Sequence, residues 1–159
     1  MREADDLNRT LDLLLSKSGR GERIDPFRIA RRMGFSVTRS SRIEGSNALV
    51  SYINGRWKIT LNRFDPIEVQ HLLLAHEMFE ILLPESPGKE ELCRMGASLL
   101  LIPRGHFEAS CIQLNFDPVR LKERFPFLSY KAIALRSLAL QQMAVDKSRP
   151  CWKNIRRQG

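Results

Sequence analysis

The chain has 159 residues, of which 43% are hydrophobic and 28% charged, a balance that is ordinary for one compact globular domain, or for a domain with a small appendage. It holds no apolar run near the ~20 residues that span a bilayer, and the N-terminal MREADDLNRT lacks the apolar stretch of a signal peptide. A cytoplasmic protein with no membrane partner is therefore expected. The formal charge of +8 suits nucleic acid or an acidic protein surface as a partner, although such a charge also simply aids solubility.

Two helices are predicted in the N-terminal part of the chain. Leucines at helical spacing between Asp6 and Ser18 predict an amphipathic first helix, which the glycines that follow bring to an end. Asp25 is suited to cap a second helix with Pro26 in its first turn. This helix is expected to stop at Gly34, a residue that readily adopts the left-handed conformation of a helix C-terminus.

A short strand and a hairpin are predicted next. Phe35 and Val37 indicate the strand, and Asn54–Gly55 stands between two β-favouring runs, residues 48–53 and 56–61. Asn-Gly in this setting is a strong short-range signal for a β-hairpin.

The remaining elements are predicted to be helices. The pattern indicates a helix that begins at Asp65 and Pro66 and runs to Leu83, and a further helix over Glu90–Leu101, closed by a proline. Two more are predicted over 117–122 and 130–144, the second capped by a serine.

The helix that ends at Leu83 carries the stretch LLLAHEMFEILLP, in which His76 and Glu77 open the zinc-peptidase signature H-E-x-x-H. The second histidine of the signature is replaced by Glu80. Residues four apart share one face of a helix, so His76 and Glu80 can both reach one metal ion, while Glu77 can act as the general base. The alternative is an ordinary buried helix; the apolar surroundings favour the site, because ionisable groups rarely enter such helices unpaired.

A third ligand is needed, and Glu90 in the first turn of the next helix is the best-placed candidate. A first-turn glutamate also favours the helix dipole, so this residue fits either interpretation. Cys93 and the loop residue His106 are secondary candidates, whereas His71 is expected to be structural. The odd count of three cysteines without a C-x-x-C pair favours reduced thiols.

The order of IDPFRIARRMGFSV, a hairpin with ITLN, LLLAHEMFEILLP and EELCRMGASLLLIP resembles the ImmA/IrrE family of bacterial metallopeptidases, formerly a domain of unknown function. The resemblance covers residues 24–140. In the family the first motif helix reads A-H-E-L-G-H and the next reads roughly E-x-x-A-N-x-F-A-x-x-L-L-M-P. Counting back from Pro103, the glutamate of the second motif falls on Glu90. The resemblance thus implies His76 and Glu90 as ligands and Glu77 as the catalytic base.

The same resemblance implies an α+β fold with a mostly helical, zincin-like metallopeptidase core, a small antiparallel sheet formed by the hairpin, and a C-terminal helical segment. The core would comprise residues 1–104, and the helical segment with its basic tail residues 105–159. Family members cleave a helix-turn-helix transcriptional repressor and so induce stress-response or mobile-element genes. The expected reaction is attack of a metal-activated water on a peptide carbonyl, with Glu77 moving the proton.

The departures from the family pattern lie near the expected site. They are Glu80 for the second histidine, Phe79 for the glycine before it, Cys93–Arg94 for Ala-Asn, and the residues around Val69–His71 for the arginines usual before the motif. With Glu80 as a ligand, a zinc site falls from a formal charge of about +1 to about 0, which weakens acidification of a bound water. One divalent metal is expected, with zinc first and manganese or iron as alternatives favoured by oxygen ligands; an inactive relative would bind none.

Two other classes of function compete with the peptidase. One is a catalytically inactive peptidase-fold protein that binds a regulatory partner. The other is a DNA-binding module, because residues 29–45 resemble the helix-turn-helix of phage repressors and basic residues flank them. Candidate residues for binding nucleic acid or a partner are Arg39, Arg42, Arg156 and Arg157.

Overall fold

The computed structural model describes residues 2–19, 24–45, 47–126 and 128–148, with only the backbone for 142–148. The described helices and strands are α1 (Arg2–Ser16), α2 (Pro26–Arg32), β1 (Ser36–Ser40), β2 (Ala48–Ile53), β3 (Arg56–Asn62), α3 (Ile67–Leu82), α4 (Lys89–Leu101), α5 (Arg104–Gln113), α6 (Pro118–Arg124) and α7 (Tyr130–Ser148). They form two compact units, one up to Arg104 and the other from Gly105 onward. The predicted α+β class is confirmed.

The first two helices follow the sequence closely. Helix α1 buries Leu7 and Leu14, and it begins four residues earlier than predicted, with acidic residues in its first turn. The Asp25 side chain caps α2 by accepting a hydrogen bond from the Phe27 N–H at 3.0 Å. Gly34 follows the helix with φ at 82°, the left-handed conformation expected of it.

The three strands form one mixed sheet in the order β1-β3-β2. The predicted hairpin is confirmed: β2 and β3 pair antiparallel, and Asn54 and Gly55 turn between them with φ of 51° and 77°. Strand β1 pairs with β3 in parallel, with Val37 opposite Ile59. The predicted small antiparallel sheet is therefore correct for the hairpin alone, and the full sheet is mixed, because the chain reverses twice after β1 and brings β3 back in the direction of β1.

The segment proposed as a helix-turn-helix contains a strand where that motif needs its recognition helix. Residues 36–40 are β1, and their β-branched Val37 and Thr38 suit a pleated sheet. Thr38 also pairs with Thr60 of β3, hydroxyl to hydroxyl, at 3.1 Å. The helix-turn-helix interpretation of this segment is wrong for that reason.

Helices α3 and α4 supply much of the core of the first unit. Leu74, Met78 and Phe79 of α3 are fully buried, as are Ala97 and Leu100 of α4. This burial agrees with the expectation that α3 is apolar almost all round.

Helix α3 starts two residues after the predicted cap Asp65, with Pro66 at the cap position and no side-chain cap. Asp65 instead presents its backbone carbonyl to the side-chain amide of Gln70 at 2.8 Å. The helix ends before Leu83, which is extended because the residue before a proline disfavours the helical conformation.

The second unit contains one helix that sequence reasoning missed. Residues treated as a loop around His106 form α5, whose Phe107 and Cys111 are buried. The starts of α6 and α7 were predicted correctly, since Asp117 and Ser129 accept hydrogen bonds from the N–H groups of the first turns. Within the described part of the chain, every helix is too short or too polar to cross a membrane.

Candidate metal centre

The candidate centre is built from α3 and the first turn of α4. His76 and Glu80 stand one helical turn apart on α3, so both side chains leave the same face. The chain turns back at Pro84 and re-enters a helix at Lys89, which places Glu90 opposite them. One histidine and two glutamates from two helices thus meet at one point.

The distances fit a metal ion. One ligand atom from each of His76, Glu80 and Glu90 lies within 4.8 Å of the other two, and His76 Nε2 stands 3.5 Å from Glu90 Oε2. Two ligands of one tetrahedral ion, with bonds of about 2.1 Å, lie roughly 3.4 Å apart. The side chains are 20% exposed for His76, 40% for Glu80 and 57% for Glu90, so an ion can enter from solvent. The donor set, one imidazole nitrogen and carboxylate oxygens, suits zinc, manganese or iron.

Both oxygens of Glu80 already have partners. Lys89 Nζ lies 3.1 Å from Oε1, and the Cys93 thiol donates to Oε2 at 3.3 Å. Burial raises the pKa of Glu80, but the hydrogen bonds from Lys89 and Cys93 and the Lys89 charge outweigh it and hold that pKa below its ordinary value. Glu80 is therefore a carboxylate at neutral pH.

Cys93 is fully buried and acts as a neutral donor. Burial, followed by its hydrogen bond to Glu80, raises the pKa of the thiol to about 12. A metal-binding thiolate requires the opposite shift, so the structure gives Cys93 a supporting role at Glu80.

Lys89 was missed by sequence reasoning, which treated it as the end of a loop. Its side chain is only 9% exposed, and Nζ also contacts Glu85 Oε1 at 2.6 Å. Burial lowers the pKa of Lys89, but hydrogen bonds to Glu85 and Glu80 outweigh burial and raise this pKa above its ordinary value. The ammonium group therefore stays charged. Glu85 lies in the loop before α4, so helical spacing does not predict its pair with Lys89, and nothing in the sequence signals the contact with Glu80 either.

Glu90 has a cation of its own. Arg94 lies one turn further along α4 and reaches Glu90 Oε1 at 2.9 Å. Both carboxylates of the cluster are thus paired with a positive side chain in this structure. The Glu90–Arg94 pair has the ordinary spacing of a helix-surface ion pair and was also overlooked.

Glu77 has an environment suited to proton transfer. It is half-buried beside His76, and burial raises its pKa to about 7, helped by the charges of Glu80 and Glu90. A carboxyl group with a pKa near neutrality can both accept and release a proton at physiological pH. This is the chemistry that the H-E sequence predicts.

The other candidate residues lie outside the cluster. The ring of His71 meets Phe27 edge-on at 5.6 Å, and His106, in the second unit, meets Phe125 at 5.7 Å. His106 belongs to α5, which corrects its placement on a loop.

The candidate arginines are placed as follows. Arg39 donates to Gln70 Oε1 at 2.7 Å and stacks on Phe27, so its side chain stabilises the junction of β1 with α3. Arg42 is exposed just after β1. Arg156 and Arg157 lie outside the described residues.

Comparison with known proteins finds a structure with a similar fold but identifies no family. No family model and no curated protein matches the chain. Among solved structures, the chain resembles a Mycobacterium tuberculosis transcriptional regulator, with a TM-score of 0.58 and 15% sequence identity; the match covers 82% of this chain and 45% of the regulator. At this identity the likeness concerns the fold alone, and the chain spans less than half of the regulator's length.

Proposed function

We propose that this chain is a metal-dependent endopeptidase of the ImmA/IrrE type, with His76, Glu80 and Glu90 as metal ligands and Glu77 as the general base. The observation that carries the proposal is the convergence of the three ligand side chains from two helices within 4.8 Å. The order of motifs along the chain supports the roles of His76, Glu77 and Glu90, since the resemblance implies them without reference to distances, and Glu80 stands at the position of the second ligand.

The chain's own residues would divide the reaction as follows. A bound divalent ion supplies Lewis acidity, which acidifies water and polarises a carbonyl group. Glu77, with its pKa of about 7, takes the proton of the attacking water and passes it to the departing amine. Glu80 and Glu90 hold negative charge at the site, and the fully buried neighbours Ala75, Met78 and Phe79 anchor α3 in the core.

The ligand set affects both the choice of metal and how strongly the metal activates water. Exchanging an imidazole for a carboxylate removes one unit of positive charge from a zinc site, which makes water activation weaker. Zinc remains the first expectation, with manganese or iron favoured more than in a two-histidine site because their ligand preference includes carboxylate oxygens.

The proposed substrate is a helix-turn-helix transcriptional repressor, which is what the family resemblance implies. The structural neighbour is a transcriptional regulator, and a role of this chain in gene regulation is compatible with that likeness. The formal charge of +8 suits a partner with an acidic surface, or one bound to DNA.

A second candidate function rests on a specific observation, the pairing of Glu80 with Lys89 and of Glu90 with Arg94. These cations satisfy the carboxylates without a metal, as expected of a peptidase-fold protein that has lost catalysis and binds a regulatory partner. The two functions differ in whether the purified protein binds metal and cleaves peptide bonds.

The deciding experiment measures metal content and hydrolysis together. Protein purified without a histidine tag is analysed for zinc, manganese and iron, beside Glu80→Ala, Glu90→Ala and the control His106→Ala. Cleavage of casein is then followed with each metal added, with Glu77→Gln as the inactive variant. Stoichiometric metal lost in both glutamate variants but kept in His106→Ala, with hydrolysis abolished by Glu77→Gln, supports the peptidase. A wild-type protein that binds no metal would contradict the peptidase proposal and favour the non-catalytic function.

A further inference from the structure

Lys89 makes contact with two carboxylates, of which only one belongs to the candidate metal centre. Its ammonium nitrogen lies 3.1 Å from Glu80 and 2.6 Å from Glu85. Glu85 is 89% exposed, so it can follow a small movement of the lysine at little cost. Lys89 itself is buried, and its ammonium group touches both acids, so it can leave one contact and keep the other.

We propose that Lys89 is a built-in competitor for the metal: its ammonium group holds Glu80 in the ion-free protein and withdraws to Glu85 when a divalent ion binds. The proposal rests on the metal centre proposed above. It assigns to Lys89 a positioning role that sets how tightly the centre binds an ion.

Each oxygen of Glu80 accepts from one partner, Oε1 from Lys89 and Oε2 from the Cys93 thiol. An ionised carboxylate has about four lone-pair sites, so a metal can bind Glu80 beside the neutral thiol. The ammonium group differs from the thiol because it holds Oε1 with a positive charge that competes with the charge of the ion. The thiol is fully buried in the core and the lysine has a second acceptor, so the lysine is the partner that moves.

The charges at the site also favour movement of the lysine. A lysine ammonium group and a divalent ion on the same carboxylate repel each other strongly at separations of a few ångströms in a partly buried site. Withdrawal to Glu85 keeps the buried ammonium group paired, which avoids the cost of leaving it without a counter-ion. The site is thus neutralised internally when no ion is bound, and its occupancy depends on the supply of metal.

The test is a calorimetric titration of zinc chloride, and separately of manganese chloride, into the untagged full chain. The variants are Lys89→Met, Lys89→Gln, Glu85→Gln and Lys89→Met/Glu85→Gln. Lys58→Met, on β3, is the control with the same change of charge. Thermal unfolding by circular dichroism shows that each variant is folded, and Lys89→Gln keeps the test valid should the methionine variant fail to fold.

The expected result is roughly ten-fold tighter metal binding for both Lys89 variants and less than about two-fold change for Lys58→Met. Glu85→Gln is expected to weaken binding several-fold when Lys89 is present and to have little effect in the double variant, because Glu85 acts by receiving the lysine.

Equal or weaker metal binding by both Lys89 variants, with metal bound by the wild type, overturns the role of Lys89 and leaves the proposed function intact. An equal effect of Glu85→Gln with and without Lys89 overturns the withdrawal to Glu85. Absence of metal binding in the wild type and in every variant overturns the metal centre itself, and the role of Lys89 with it.

Discussion

The ring of Phe79 on α3 lies directly over the backbone of Gly96 on α4. A Cβ atom added at Gly96 would stand 2.5 to 2.7 Å from three carbon atoms of that ring. Both residues are buried, and this close approach brings the two helices together just beside the candidate metal centre. Phe79 is the residue before Glu80, so the contact fixes the part of α3 that carries this candidate ligand.

This contact also accounts for one departure from the family pattern. The pattern has glycine at the position of Phe79 and phenylalanine at the position of Gly96, and this chain has the two residue types exchanged. The exchange keeps one ring and one glycine at the same point between the helices. Such an exchange preserves the packing under the site while both residues change; the family resemblance itself stays a prediction.

Gly96→Ala is expected to destabilise the protein by roughly 1–3 kcal/mol, since the added methyl group overlaps a ring that is buried on all sides. The measurement is the midpoint of urea unfolding in the wild type and in the variant. Gly105→Ala in α5 is the matched control, because nothing lies within 4 Å of the added atom and helix propensity alone favours alanine. A Gly96→Ala protein as stable as the control would contradict the close packing of α3 on α4.

The sequence determines the elements of the first unit well because their signals are local. Asp25, the Asn54–Gly55 turn and the proline after Leu83 act through backbone geometry within a few residues. The parallel pairing of β1 with β3 was not predictable in this way, since no local signal says which strand lies in the middle of a sheet. Helix α5 was missed because its sequence has little amphipathic pattern; only Phe107, Ser110 and Cys111 are buried.

The candidate site was likewise predictable from the sequence only in part. Helical spacing alone placed His76 beside Glu80, and both the start of the next helix and the motif order pointed to Glu90. The contact of Lys89 with Glu80 depends on how the loop between α3 and α4 folds back, which no periodicity encodes. The exchange of Phe79 and Gly96 becomes interpretable only when the two helices are seen in contact.

Glu77 makes the stability of the metal-free protein depend on pH. Its pKa rises from 4.5 to about 7 on folding, mainly through burial, so the folded state prefers the protonated form. The stabilisation from this group is complete below pH 4.5 and is lost as the pH rises through 7. With chelator present, the free energy of unfolding of Glu77→Gln is expected to rise by roughly 2 kcal/mol relative to that of the wild type between about pH 5 and about pH 8.

Urea unfolding of both proteins at the two pH values measures this difference. Glu91→Gln, a first-turn glutamate of α4, serves as the control for loss of a carboxylate. A difference between wild type and Glu77→Gln that stays constant across this pH range would rule out the raised pKa.

Cys93 and Cys111 are expected to resist alkylation in the folded protein. Both thiols are fully buried, and burial raises the pKa of each above its ordinary value, to about 12 for Cys93. In a Cys151→Ser background, iodoacetamide at about pH 8 should label neither thiol until urea unfolds the chain. Mass spectrometry counts the labels, and rapid labelling of Cys93 without denaturant would refute its neutral, buried role at Glu80.

Glu80→His restores the second histidine of the H-E-x-x-H signature and removes the carboxylate that Lys89 holds. The variant is expected to bind zinc roughly ten-fold more tightly than the wild type, because an imidazole is a better zinc ligand in this geometry and no longer pairs with the ammonium group. Manganese affinity should rise less, since manganese prefers oxygen ligands, so the ratio of the two affinities measured by calorimetry should shift in favour of zinc.

Glu91→His is the control, because it adds a histidine to the same helix pair without replacing a candidate ligand, and it should leave both affinities within about two-fold of the wild type. Zinc binding that falls in Glu80→His would mean that the position does not face the ion, and the ligand role of Glu80 would fall with it.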